Sequence, residues 1–118
     1  MRKSHNFRKM EIWRQSMDLV KKVYVLAAKL PDYEKFGLIY QMQRCAVSIP
    51  SNIAEGSGRT TDKEFAYFLK VAMSSSYELE TQLILSSELF NFDSEEIITD
   101  LKNVQNMIGG FLRKIIEK

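Results

Sequence analysis

Apolar residues return at alternating intervals of four and three along two long stretches of this 118-residue chain. One line runs Ile12, Ser16, Leu19, Val23, Leu26 and Leu30; the other runs Ile97, Leu101, Val104, Ile108, Phe111 and Ile115. That interval matches the turn of an α-helix and puts each line on one helix face, whereas a strand would alternate every second residue. Only five Gly and two Pro interrupt the chain, too few for a turn-rich β-sandwich or barrel.

The chain is 45% hydrophobic and 27% charged, which suits a packed soluble domain and excludes disorder. Its length gives one domain over 1–118, with a short basic tail over about 1–9. The single cysteine, Cys45, cannot form an internal disulfide and points to a reducing, cytoplasmic compartment. No apolar run approaches about 18 residues, so no membrane span and no membrane partner are expected. The basic start Met1-Arg2-Lys3-Ser4-His5-Asn6 leads into no apolar stretch, so it is not a signal peptide.

Punctuation sets four helices. The first is predicted from about residue 10 to Leu30, where Pro31 ends it. The second starts near Glu34, carries Leu38, Met42, Cys45 and Ile49 on one face, and contains Pro50. A proline inside a helix removes a hydrogen bond and crowds the carbonyl four residues back, so a kink is expected near Val47–Pro50. Two short helices are the alternative. Gly56 or Gly58 is expected to close this helix with a left-handed cap. Thr61-Asp62-Lys63-Glu64 reads as a capping box opening a third helix that continues to Asn91. Asp93-Ser94-Glu95-Glu96 opens the fourth, in which Gly109-Gly110 is expected to permit close helix approach. Short loops between four such helices predict an all-α fold, an antiparallel up-down-up-down four-helix bundle.

Charge is unevenly spread. Residues 1–22 carry seven Lys or Arg against two acids, while residues 78–100 carry seven acids and no Lys or Arg. A molecule split in this way has a field that orients partners, copies of itself included, although clustered solvated helix faces would give the same pattern.

Catalytic constellations are missing. His5 is the only histidine and lies in the tail, expected to be mobile, so no base stands ready for a nucleophile. Cys45 falls on the core line and reads as a small core residue. No Glu-x-x-His unit exists for a di-iron bundle, and Glu78 and Glu80 point to different helix faces. Gly56-Ser57-Gly58 follows no strand, so it reads as a helix stop rather than a phosphate cradle. No enzyme activity, cofactor or metal is expected.

Surplus apolar surface is the positive signal. Beside the first helix's main line lies a second through Trp13, Met17, Val20 and Tyr24, and the third helix is apolar on more than one side, with Tyr67 and Val71 beyond its core face. Either the core stripe is unusually wide or these residues meet another copy. The latter makes Trp13, Met17, Tyr24, Tyr67 and Val71 candidate interface residues.

The stretch Ser48-Ile49-Pro50-Ser51-Asn52-Ile53-Ala54-Glu55-Gly56 places polar Ser51, Asn52 and Glu55 close to a core line. Asn52 and Glu55 are three apart and share a face. The structural reading is a polar network that satisfies the carbonyl near residue 46 freed by Pro50. The functional reading is a ligand or nucleic-acid contact beside Arg44 and Arg59.

These residues also carry a resemblance. Phe7-Arg8-Lys9-Met10-Glu11-Ile12-Trp13, the nine residues from Ser48 to Gly56, Lys63-Glu64-Phe65 and the run from Tyr77 to Leu83 resemble, in one order over nearly the whole chain, the four-helix-bundle proteins encoded in intervening sequences of bacterial 23S rRNA genes. The resemblance implies a four-helix bundle, commonly a homopentamer, with no known catalytic activity. A related family, the accessory variability determinant proteins of diversity-generating retroelements, forms basic barrel-shaped pentamers that bind nucleic acid and a reverse transcriptase. Most members carry paired arginines before the central motif; here Gln43-Arg44 keeps one.

The expectation is a non-catalytic homo-oligomeric scaffold, a pentamer, that binds structured RNA or DNA through backbone charge. Arg2, Lys3, Arg8, Lys9 and Arg14 are the first candidates for phosphate contact, with Arg44, Arg59 and Lys63 second. Pro50, Ser51, Asn52, Glu55 and Gly56 are expected to be structural. The alternative is a module that binds a protein partner and no nucleic acid.

Overall fold

A computed structural model of the chain describes residues 5–116. A 3-10 turn at Phe7–Lys9 leads into helix α1 (Glu11–Ala27). A second 3-10 turn, Asp32–Glu34, precedes helix α2 (Leu38–Ser57), and helices α3 (Asp62–Phe90) and α4 (Glu95–Ile116) follow. Among the described residues there is no strand. α1 packs on α2, α2 on α3, α3 on α4 and α4 on α1, so the four helices close a ring in which α1 and α3 lie diagonally. The body is elongated, 49 × 22 × 20 Å, in keeping with a 29-residue α3 of roughly 43 Å.

The lines of fours and threes become the core. Leu19 and Val23 of α1, Met42, Ile49 and Ile53 of α2, Phe65, Leu69, Leu79 and Leu83 of α3, and Leu101, Val104 and Ile108 of α4 are almost wholly buried. Each such side chain contributes roughly 1.5–3 kcal/mol by leaving water. Ser16 and Ser76 on the same lines cost little, because they bond within their own helices. Ser16 Oγ donates to Trp13 O at 2.8 Å and Ser76 Oγ to Met73 O at 2.6 Å.

Helix ends depart from expectation in instructive ways. α1 stops at Ala27, not Leu30. Lys29 N and Leu30 N donate to carbonyls three residues back, at 3.0 and 3.1 Å, so the last turn has tightened before Pro31 is reached. α2 begins at Leu38 rather than near Glu34, and Glu34 instead caps it, its Oε1 accepting from Leu38 N at 3.1 Å. Gly37 makes this fold-back feasible, since a Cβ there would lie 2.6 Å from that oxygen. α2 runs through Pro50 as one helix, not two. It ends without a left-handed glycine: no glycine has positive φ, and Gly58 caps it with φ −88°. The left-handed cap belongs to Asn91 (φ 55°), which closes α3. Of the capping box, Thr61 Oγ1 accepts from Glu64 N at 3.1 Å, while the Glu64 carboxylate takes the Thr61 hydroxyl at 3.0 Å rather than a backbone donor.

Gly56 is a packing residue. It is buried inside α2, where a Cβ would stand 2.8 Å from both Phe65 Cδ1 and Phe68 Cβ of α3. Gly109 and Gly110, expected to serve close approach, do not: a Cβ at either would meet nothing nearer than 3.6 Å.

Candidate assembly face and basic end

The nine-residue motif on α2 has two working sides. On the side toward α3, the Asn52 amide donates to Ser48 O at 2.8 Å and Ser48 Oγ at 2.9 Å, and the Ser48 and Ser75 hydroxyls pair at 2.8 Å across the helix boundary. A turn or two earlier, the Gln82 amide donates to Cys45 Sγ at 3.4 Å, and the thiol points at the Glu78 carboxylate 3.9 Å away. Together these form a polar seam along an otherwise apolar contact. The network differs from the sequence expectation. Asn52 serves Ser48 and not the carbonyl of residue 46, and Glu55 takes no part, turning outward to pair with Arg59. Ser51 is exposed.

On the side toward α1, the same motif is apolar and open. Pro50, Ser51 and Ala54 join Val47, Trp13, Met17 and Val20 around a groove of about 350 Å³ between α1 and α2. Trp13 and Val20 are half-buried against the core, and Val47 is 41% exposed. Exposed Tyr24 continues the α1 line and exposed Tyr40 the α2 line. Of the other interface candidates, Met17 lies half-buried in the groove, Tyr67 stands exposed on α3, and Val71 is half-buried on α3.

The cations gather at one end. His5 N donates to Ser57 O at 3.1 Å, and the His5 ring sits 5.7 Å from both Phe65 and Phe111. His5 is therefore packed against the body rather than projecting from it, and it joins the chain start to the end of α2, the start of α3 and the last turns of α4. Arg8 and Lys9 on the first 3-10 turn, Arg14 on α1, Arg59 after α2 and Lys63 on α3 belong to this end. Arg14 is paired with Glu11 at 2.7 Å, and Arg59 pairs with Glu55 while lying 4.7 Å over the Phe68 ring. Arg14 holds the Glu11 carboxyl below its ordinary range, with Gln15 assisting. Arg44 stands apart, exposed at mid-α2 and roughly 20 Å along the helix from Ser57. Arg2 and Lys3 lie outside the described residues.

Three cations escaped the sequence reading: Lys70, beside Ile115 and Lys63 in a groove between α3 and α4, and Arg113 and Lys114 in the last turn of α4. The signal was available, because placing α4 next to α3 brings its last turn to the same end as Lys63. At the opposite end, the Lys22 ammonium bridges α1 to Asp100 and, at 3.6 Å, to Glu96 of α4. The Asp100 contact raises the Lys22 pKa above its ordinary value.

Catalytic chemistry finds little footing. Burial pushes the Cys45 thiol up, against a smaller opposing effect of the Gln82 amide, so it stays protonated and a poor nucleophile at neutral pH. Among the described residues, no group of three or more His, Cys, Asp or Glu could hold a metal ion. None of the described helices is long and apolar enough to cross a membrane.

A family model described as 23S rRNA-intervening sequence protein matches residues 8–110, from the first 3-10 turn through most of α4. The chain belongs to that family. The stretches quoted above for the resemblance fall almost wholly inside the match, including both sides of the α2 motif. Among solved structures, the fold is similar to a crystal structure of a protein with unknown function from the S23 ribosomal protein family of Bacteroides thetaiotaomicron. That likeness has a TM-score of 0.71 at 23% identity and covers 91% of this chain and 99% of the other. At that identity it speaks for the shared helical fold. No curated protein matches the chain.

Proposed function

We propose that this member of the 23S rRNA-intervening sequence family is a non-catalytic scaffold, in which copies of the chain assemble, as a pentamer, in the cytoplasm. The observation that carries this reading is the apolar face between α1 and α2, where Trp13, Met17, Val20, Val47 and Pro50 surround an open groove instead of closing on one another. With exposed Tyr24, Tyr40 and Val47 continuing it, this apolar surface supports a contact with another copy. Light scattering tests it: a mass five times that of the chain, stable on dilution, is expected, and a single-chain mass at high concentration contradicts it.

The assembly would present its basic ends to structured RNA or DNA. Arg8, Lys9, Lys63 and Lys70 offer point charges to phosphates, positioning a duplex without reading its bases. Each phosphate contact steepens the fall of affinity with salt. Filter binding to a structured RNA should weaken sharply between low and physiological salt, and insensitivity to salt removes this mode. The pairing of Arg14 with Glu11 and of Arg59 with Glu55 favours a second reading, a protein-binding module, because it withdraws two cations from phosphate contact. That module would pass through heparin unretained.

A further inference from the structure

The N-terminal half of α3 carries a row that neither the core nor the α1–α2 groove uses. Lys63, Tyr67, Lys70, Ser74 and Tyr77 follow one another at spacings of four and three, so they share one helix face. All five are exposed, Tyr67 by 62% and Tyr77 by 57%. Neither Lys63 nor Lys70 makes an ion pair with a described residue. Glu64, the acid between them in sequence, turns to the Thr61 cap. The Tyr67 ring packs at nearly a right angle to Phe68, with 5.2 Å between centroids, and Arg59 lies over Phe68 from outside. The tyrosine thus rests on the body while most of it stays in solvent. Lys63 and Lys70 also rim a groove of about 310 Å³ toward α4, whose last turn adds exposed Arg113 and Lys114; Asp62 is the acid on its lining.

We propose that this face binds a single-stranded segment of RNA or DNA, with a base stacked on Tyr67 and phosphates on Lys63 and Lys70. The inference rests on the nucleic-acid reading above and names the form of nucleic acid and the residues that take it. Charge selects a polyanion. One cation stands a turn before the ring and one a turn after it, about 10 Å apart along the helix, and no Asp or Glu shares the row from Lys63 to Tyr77. The ring selects the single strand. Every base has a flat π-face; a duplex hides it inside the stack, whereas an unpaired or looped base offers it to an aromatic side chain. An acidic peptide would satisfy the two lysines but brings no base for Tyr67. The exposed charges Glu78 and Glu88 follow along α3, so the binding face ends near Tyr77.

Fluorescence anisotropy with a labelled, unstructured RNA strand tests this, alongside the same strand made abasic and a hairpin duplex. Tyr67→Ala should weaken binding of the intact strand by about 5- to 150-fold, the worth of one stacked base. Tyr67→Phe should bind like the wild type, because it keeps the ring. The abasic strand and the hairpin should not distinguish Tyr67→Ala from the wild type. Lys63→Ala and Lys70→Ala should each make the log–log salt dependence shallower by about 0.7. All three positions are exposed, so the unfolding midpoint should hold; Tyr67→Leu, which keeps apolar bulk without a ring, replaces Tyr67→Ala should that variant fail to fold. Unchanged affinity in both ringless variants overturns the proposal, as does an abasic strand bound as tightly as the intact one. Polyglutamate bound as tightly as the RNA overturns it in favour of an acidic protein partner. A wild type that binds neither strand nor hairpin overturns the nucleic-acid reading itself, whereas hairpin binding with Tyr67 irrelevant to the intact strand removes this inference alone.

Discussion

Helix α2 presents two faces built from one short motif, and they solve opposite problems. Toward α3 it is closed: Gly56 lets the helices approach until no Cβ fits, and Asn52, Ser48 and Ser75 satisfy one another in the seam. Toward α1 it is more open: exposed Val47 and half-buried Ala54, beside buried Pro50, line a groove with Trp13 and Met17. A motif needed only for folding would be expected to close on both sides. On the assembly proposed above, Asn52 and Gly56 serve the protomer, while Val47 and Ala54 would meet the neighbouring copy.

Substitutions on the two faces should therefore separate folding from assembly. Gly56→Val should have the largest effect, because even a Cβ lies 2.8 Å from Phe65 and Phe68 and overpacking costs roughly 1–3 kcal/mol or more. An unchanged midpoint in urea unfolding would erase the distinction between the faces. Asn52→Leu should destabilise by about 1–3 kcal/mol, because Ser48 loses both hydrogen bonds from the Asn52 amide. Pro50→Ala should leave the unfolding midpoint nearly unchanged and instead lower the assembled mass. Equal midpoints for these two variants would break the comparison.

Much of this arrangement is legible in the sequence, for reasons of distance. The lines of fours and threes specify the buried residues of α1 and α4 because a helix repeats locally, and Asn91 stops α3 because a left-handed cap is a single-residue property. What depends on a second helix is not legible. Gly56 resembles a cap until Phe65 and Phe68 are seen against it, and the Ser48 hydroxyl that Asn52 serves gains its other partner only from Ser75, 27 residues away. His5 resembles a loose tail until Phe65 and Phe111 converge on it. The apolar surplus along Trp13, Met17, Val20 and Tyr24 is visible early; its α3 counterpart falls in the C-terminal half of the helix rather than around Tyr67 and Val71 alone.

Smaller effects sharpen the same contrast. Gly109→Ala should stabilise by up to about 1 kcal/mol, since α4 gains a better helix former and its Cβ meets only ordinary contacts. Loss of stability there would place Gly109 in a close contact made after assembly. Alkylation of Cys45 should be slow at neutral pH in the folded chain and rapid in denaturant, because burial in the seam raises its pKa. The same shift implies that stability declines as pH climbs past the ordinary thiol value, where the unfolded chain ionises first. Fast alkylation of the native protein would show that the seam is open.

Trp13 is the only tryptophan in the chain and lines the groove, with its ring also edge-on to Phe7 at 5.2 Å, so its fluorescence reports on that surface and the contact beside it. Acrylamide quenching of the wild type, measured against the Val47→Glu variant, is the most direct test of whether the groove is covered. A wild-type signal that is strongly protected, and becomes accessible in the variant, is the expected result. Equal quenching in the two proteins would mean that the groove faces water in both.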